Sequence, residues 1–266
     1  MSTLEGSKQI RNKNILFYFD AANAKSYDGF SNTGYSLVLG TTASLLTGVT
    51  WSSANNGVMV FNGTYSIGLF TYSVDSWISC GDRISKLAPT FPFTLEAWVN
   101  PKTTGITTIA GNSIFALDSI EQYPGSYYGL SISLGPNDGT NTHVFEAAYG
   151  NGVDAGSAGR KSATTNTRVV IGGVWSHVAA VVSALDTFQL YVNGEFVSST
   201  VSGGNTTGIV WSNGVGKTTI GKGYGYYKYI FDGKIAMTRV YNTTLTGADI
   251  KENYNLHARR FGLTTK

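Results

Sequence analysis

One cysteine in 266 residues, Cys80, leaves no intrachain disulfide framework and no multi-cysteine zinc site. Charged residues make up only 13% of the chain, about half the roughly 25% of an average soluble domain. Nineteen Lys and Arg against sixteen Asp and Glu is too small an excess for an electrostatic nucleic-acid footprint. No apolar run approaches the roughly 18 residues that span a membrane. Neither nucleic acid nor membrane is therefore an expected partner. Heptads are missing, which excludes a coiled coil, and there is no internal repeat or Pro- or Ser-rich linker. The polar start Met1 to Lys8 lacks a signal-like apolar stretch, so synthesis in a cytoplasm without export is expected.

What is abundant points to turns and strands. There are 33 glycines, well above the roughly 7% of an average protein, and 16 tyrosines among 13% aromatics. So many aromatics exclude a disordered chain, which lacks the apolar surface to offset ordering entropy. The clearest strand is Phe93-Thr-Leu-Glu-Ala-Trp-Val99, bounded by Pro92 and Pro101. Phe93, Leu95, Ala97 and Val99 share one face, and Thr94, Glu96 and Trp98 the other. Trp175 to Val182 reads as a buried strand by its apolar run. Asn193-Gly194 between apolar runs predicts a hairpin, because a type I′ turn needs φ > 0 at both central residues. Further strands are expected at Ile15–Phe19, Val58–Phe61, 64–74, Trp77–Cys80, Tyr127–Leu134, His143–Tyr149, Thr167–Ile171, Thr218–Ile220, Lys228–Phe231 and Ile235–Tyr241, with 20–57 loop-rich. One helix is predicted near the end. Thr246-Gly-Ala-Asp249 has the form of a capping box, and Ile250 and Tyr254 follow on one face.

Residues 1–13 read as an arm, 14–256 as one all-β domain and 257–266 as a tail. Many short strands with Gly and Asn turns suggest a sandwich or barrel.

The chemistry-bearing residues argue against an enzyme, and no catalytic residue is assigned. A retaining glycosidase needs two carboxylates about 5–5.5 Å apart, which on one strand means i and i+2. Glu96 is flanked at those positions by Thr94 and Trp98. The β-sandwich glucanase pattern Glu-x-Asp-x-x-Glu occurs nowhere. His143, His177 and His257 have no metal-ligand spacing, and His177 reads as structural. Gly216-Lys217-Thr218 lacks the glycine five residues earlier that a phosphate loop requires, so it reads as a turn. No cofactor is expected. Calcium stays open through Asp75, Asp82, Asp118, Asp138 and Asp154, which occupy expected loops without clustering in sequence. The stretch Gly221-Lys-Gly-Tyr-Gly-Tyr-Tyr-Lys-Tyr-Ile-Phe231 admits three readings: a surface loop, a subunit contact, or a stacking platform for sugars. The candidate glycan-stacking residues are Tyr224, Tyr226 and Tyr227, with Trp51 as an outlying fourth.

Three segments in order resemble the concanavalin A-like, laminin G-like superfamily. They are Phe93-Thr-Leu-Glu-Ala-Trp-Val-Asn-Pro101; Trp175-Ser-His-Val-Ala-Ala-Val with Leu190-Tyr-Val-Asn-Gly194; and Ile220-Gly with Phe231-Asp-Gly-Lys-Ile-Ala-Met-Thr-Arg-Val-Tyr-Asn242. Thr244-Leu-Thr-Gly-Ala-Asp-Ile250 matches the short helix closing such domains. The resemblance implies a jelly-roll β-sandwich of two antiparallel sheets, whose concave face or rim loops often bind glycans, sometimes with calcium. Two departures weaken calcium: acidic positions of relatives are Ala236 and Met237, and Asn62 stands in Phe61-Asn-Gly63 where relatives often carry Asp.

The two ends carry a narrower resemblance. Asn14 to Tyr27 and Glu252 to Leu263 are similar to the opening and closing segments of laminin G-like proteins of tailed bacteriophages. This implies a non-enzymatic virion component, such as a head decoration, fibre or tail appendage, made in the host cytoplasm. Its partners would be the major capsid or tail proteins, further copies of itself, and surface glycans. Arg259, Arg260 and Phe261 would be docking residues, unless the ends are ordinary frayed termini. The alternative is a carbohydrate-binding lectin domain outside any virion.

Overall fold

In a computed structural model of the chain the described residues are 14–38, 42–45, 49–63, 78–79, 91–103, 112–117, 120–122, 126–135, 140–153, 156–211, 218–222, 224–225 and 230–266. Within them two antiparallel sheets lie face to face. The first contains eight strands. Its path runs from Glu195–Val197 through Thr187–Val192, Ser176–Ala184, Phe93–Pro101, Gly233–Tyr241 and Val58–Phe61 to Val49–Ser52. Ile15–Asp20 pairs with the far half of Gly233–Tyr241, in register Phe19 to Thr238. The second contains ten strands, running from Ser199–Ser202 at one edge through Arg160–Thr165, Thr142–Gly150 and Leu130–Gly135 to Asn112–Leu117 and beyond. A three-stranded ribbon joins Ser126–Tyr127, Ile120–Gln122 and Tyr224–Gly225.

Period-2 alternation explains the core. Phe93, Leu95, Ala97 and Val99 point between the sheets, as do Val178, Ala180 and Val182 of the next strand. From the opposite sheet come Leu130, Ile132, Leu134, Phe145, Ala147 and Ala163. Ring pairs tie the layers together: Phe17 stacks on Phe115 at 5.6 Å, and Tyr149 on Phe188 at 5.7 Å. Each such fully buried side chain stabilises the fold by roughly 1.5–3 kcal/mol.

The Asn193-Gly194 hairpin forms as expected, with φ of 51° and 78°. A Cβ on Gly194 would lie 3.2 Å from the Tyr254 ring, so glycine there also admits the helix. That helix, Gly247–Ala258, starts with the capping box: Thr246 Oγ1 accepts from Asp249 N, and the Asp249 carboxylate accepts from Thr246 N. Ile250 and Tyr254 are buried beneath it.

Three expectations need correction. The loop-rich stretch 20–57 holds three short strands, Thr33–Tyr35, Thr42–Leu45 and Val49–Ser52, whose apolar runs are too short for periodicity to register. The boundary drawn at 256 falls inside the helix, so 257–266 continues a packed element. Thr167–Ile171 is strand only at Val170–Ile171. The arm 1–13 and the strand expected at 64–74 lie outside the described residues.

Candidate functional site

The two sheets differ on their outer faces. The outer face of the eight-stranded sheet is covered by the helix and the residues that follow it. Phe261 is inserted there, its ring 4.4 Å from both Trp98 and Trp175, and 5% exposed. Tyr254 stacks on Trp98 at 5.7 Å. Under this cover sits a polar cluster. Glu96 accepts from Tyr241 Oη at 3.0 Å and from Asn253 Nδ2 at 3.0 Å, and its other neighbours are Arg239 Nη1 at 3.4 Å and His177 Nε2 at 3.5 Å. Burial pushes the Glu96 carboxyl up, but His177, Arg239 and Asn253 outweigh it and bring it down to about 2. His257 is driven down to about 3, first by burial and then by the charges of Arg239 and Arg260. Its Nε2 lies 2.7 Å from Arg239 Nη2, so the neutral imidazole accepts from the guanidinium. Glu96, His177 and Arg239 are each at most 2% exposed. No substrate can reach them, and they hold the cover in place.

The outer face of the ten-stranded sheet carries a different chemistry. Its outward residues form cross-strand rows: Ser131, Ala148, Ser162, Ser202, and beside it Ser133, Glu146, Thr164, Thr200. Ser131, Ser133, Glu146 and Thr164 are half-buried, and Thr200 and Ser202 exposed. Glu146 accepts from Thr164 Oγ1 at 3.2 Å and pairs with Arg160. The Arg160 guanidinium lies 5.9 Å from the centre of the Tyr127 ring. A carboxylate, a guanidinium, an aromatic ring and a row of hydroxyls therefore meet on one accessible face. This set can form bidentate hydrogen bonds to vicinal hydroxyls while the ring packs on C–H surface. Among the described residues no three His, Cys, Asp or Glu side chains are grouped to hold a metal.

The residues singled out from sequence are scattered. Tyr224 opens a strand paired in parallel with Ile120–Gln122, whose other neighbour is Ser126–Tyr127. Its backbone thus belongs to the same ribbon as Tyr127, while Tyr226 and Tyr227 lie outside the described residues. Trp51 is half-buried against the core, its indole donating to Ala21 O at 3.0 Å, apart from that ribbon. Arg259 is exposed. Arg260 and Phe261, expected to face a partner, are turned onto their own sheet: Arg260 pairs with Asp20 Oδ1 at 3.0 Å and donates to Asn55 O and Gly57 O at 2.7 Å. The apolar slot between Trp98 and Trp175 is the physical reason. Asp75, Asp82, Asp118, Asp138, Asp154 and Cys80 lie outside the described residues. Tyr127, Glu146 and Arg160 were missed because each is unremarkable in its own segment. The one available signal was the alternation of small hydroxyl residues in Leu130-Ser-Ile-Ser-Leu134.

A family model described as the concanavalin A-like lectin/glucanases superfamily matches residues 72–251, two thirds of the chain. The chain belongs to this superfamily. Its two sheets and closing helix have the jelly-roll form that membership implies. Ala236 and Met237, the two positions where the resemblance implied acids, are only 0% and 1% exposed, so a carboxylate there would be buried too.

No curated protein sequence matches the chain. Among solved structures it is similar to domain 4 of AbnA, a GH43 extracellular arabinanase from Geobacillus stearothermophilus, solved with arabinotriose. That match has a TM-score of 0.55 and 17% identity over 90% of this chain and 97% of that one. It is similar to the binding domain of Paraclostridial Mosquitocidal Protein 1, with a TM-score of 0.62 and 14% identity over 94% of this chain and 55% of that one. A botulinum neurotoxin type C structure whose cell entry depends on two ganglioside molecules gives 0.57 and 14%, over 92% and 51%. At these identities the likeness is one of fold.

Proposed function

We propose that this concanavalin A-like domain is a non-enzymatic carbohydrate-binding module that grips glycans on the outer face of its ten-stranded sheet. The observation that carries this is the meeting of Tyr127, Arg160, Glu146 and Thr164 on that face, flanked by Ser131 and Ser133. A domain of the same fold is known with arabinotriose, and another belongs to a toxin whose entry depends on gangliosides, which supports a sugar ligand. A glycan screen with the purified chain tests it. Binding lost in Tyr127→Ala and Arg160→Ala, with folding intact, supports the reading. A screen with no hits, or hits that survive both changes, overturns it.

Display on a tailed-phage particle is a further proposal, supported by the resemblance of Asn14–Tyr27 and Glu252–Leu263 alone. The part assigned to Arg260 and Phe261 in docking does not support it, since both are engaged within the domain. Peptide mass spectrometry of density-purified particles decides it: many copies per particle support it, and absence from particles ends it.

A further inference from the structure

The helix covers only part of the outer face of the eight-stranded sheet. At the uncovered end Val60, Lys234 and Asn100 stand abreast on three adjacent strands, paired Val60 to Lys234 and Lys234 to Asn100. They line an open pocket of about 320 Å³. That volume lies at the lower end of the roughly 300–1,000 Å³ typical of small-ligand sites.

The pocket is built from tightly constrained chain. Phe61 and Phe231 pack edge to face at 6.1 Å, bringing the end of the strand Val58–Phe61 against the segment that leads into Gly233–Tyr241. A Cβ on Gly63 would fall 2.7 Å from the Asp232 Cβ, and one on Gly233, whose φ is 141°, 2.3 Å from Asn100 O. Asp232 is 8% exposed, and its carboxylate is paired with Lys102 Nζ at 3.1 Å, while Lys102 N donates to Asp232 O at 2.9 Å. That acid is neutralised and fixed. Lys234 is not: it is half-buried, and its side chain makes no ion pair or hydrogen bond among the described residues. Among the described residues the pocket therefore carries one positive charge more than negative. Around it Asn100 gives Nδ2 to Gly173 O at 3.2 Å, leaving Oδ1 to accept from a ligand, and the exposed Thr103 offers a hydroxyl. Val60, Phe61 and Pro101 supply apolar wall.

We infer that this pocket is a second ligand site, for a saccharide unit bearing a carboxylate, with Lys234 as the group that pairs with it. The Lys234 ammonium has no carboxylate partner among the described residues, so it can form a charge-assisted hydrogen bond to an anionic ligand. The volume, the apolar wall and the neutral acceptors suit a sugar ring better than a small inorganic anion. The site belongs to the opposite sheet from Tyr127 and Arg160 and stands whether or not that face binds glycans.

Titration of the full chain with trigalacturonic acid, its methyl ester and inorganic phosphate, read by NMR and calorimetry, tests the inference. The acid binds, and the ester, identical but for the charge, binds on the order of tenfold more weakly, the loss of one charge-assisted hydrogen bond. Lys234→Gln weakens the acid to the level of the ester, Lys234→Arg retains it, and Tyr127→Ala leaves it unchanged. Equal binding of acid and ester, or an unaffected Lys234→Gln, overturns the inference. So does phosphate binding as tightly as the acid, which would mean an anion site without sugar recognition. Acid binding that Tyr127→Ala abolishes and Lys234→Gln does not would also overturn it, while upholding the proposed function.

Discussion

The two outer faces of this sandwich start from the same period-2 strand pattern and end in opposite states. On the eight-stranded sheet, Thr94, Glu96 and Trp98 point outward, yet all three are buried, because the helix and Phe261 lie over them. On the ten-stranded sheet, Ser131, Ser133, Glu146 and Thr164 point outward and stay accessible. Both faces pair a glutamate with an arginine. Glu96 with Arg239 is sealed and immobile, whereas Glu146 with Arg160 is 24% and 33% exposed at the side chains. The same two residue types thus act as scaffold on one side and as a candidate ligand grip on the other. Solvent access separates them: a buried charge must be satisfied by its own fold, while an exposed one can exchange water for a ligand.

The strongest way to break this comparison is to remove one charge from each face. Glu96→Ala leaves Arg239 buried without its carboxylate, and is expected to cost about 3–5 kcal/mol in denaturant unfolding. Arg160→Ala on the open face should change stability by under about 1 kcal/mol, as exposed ion pairs do. Equal losses at the two sites would mean that the faces are not energetically distinct.

Next in size is the cover itself. Phe261→Ala empties the slot between Trp98 and Trp175 and should cost about 3 kcal/mol, at the low end for a buried phenylalanine. A variant as stable as the parent would show that the closing segment does not hold the helix down.

The pH dependence sharpens the same contrast. Unfolded His257 takes up a proton near 6.5, while the folded imidazole resists until about 3. Its contribution is complete above pH 6.5 and declines as the pH falls toward 3. Glu96, ordinarily near 4.5 and about 2 when folded, adds a second decline below pH 4.5. Each group contributes a slope of at most about 1.4 kcal/mol per pH unit. His257→Gln should flatten the melting-temperature profile between pH 6.5 and 4.5, and an unchanged profile would remove His257 as the cause.

The smallest stability effects belong to the hydroxyl row. Ser133→Ala and Thr164→Ala should each stay within about 0.5 kcal/mol in thermal unfolding. Larger losses would mark the row as structural.

Local pattern made several of these features legible. The alternation in Phe93 to Val99, the Asn193-Gly194 turn and the Thr246 to Asp249 capping box each depend on a few neighbouring residues, and each is found in the structure. The candidate grip was not legible, because Tyr127, Glu146 and Arg160 come from three strands and meet only through cross-strand register. Of the aromatic stretch, Tyr224 lies on the ribbon that carries Tyr127. Trp51 packs against the core, and a large aromatic in a loop-rich segment looks the same in sequence whether it meets solvent or core.

The sequence by itself determined the all-β class, the hairpin and the position of the closing helix, because backbone preference and hydrophobic period act over a few residues. It also carried family membership in the order of its segments. Tertiary structure alone decided which glutamate is buried, that Phe261 turns inward, and that Lys234 lines a pocket whose one described carboxylate, Asp232, is paired with Lys102. Those outcomes depend on which distant element covers which face, and period-2 alternation is identical on a covered strand and an open one.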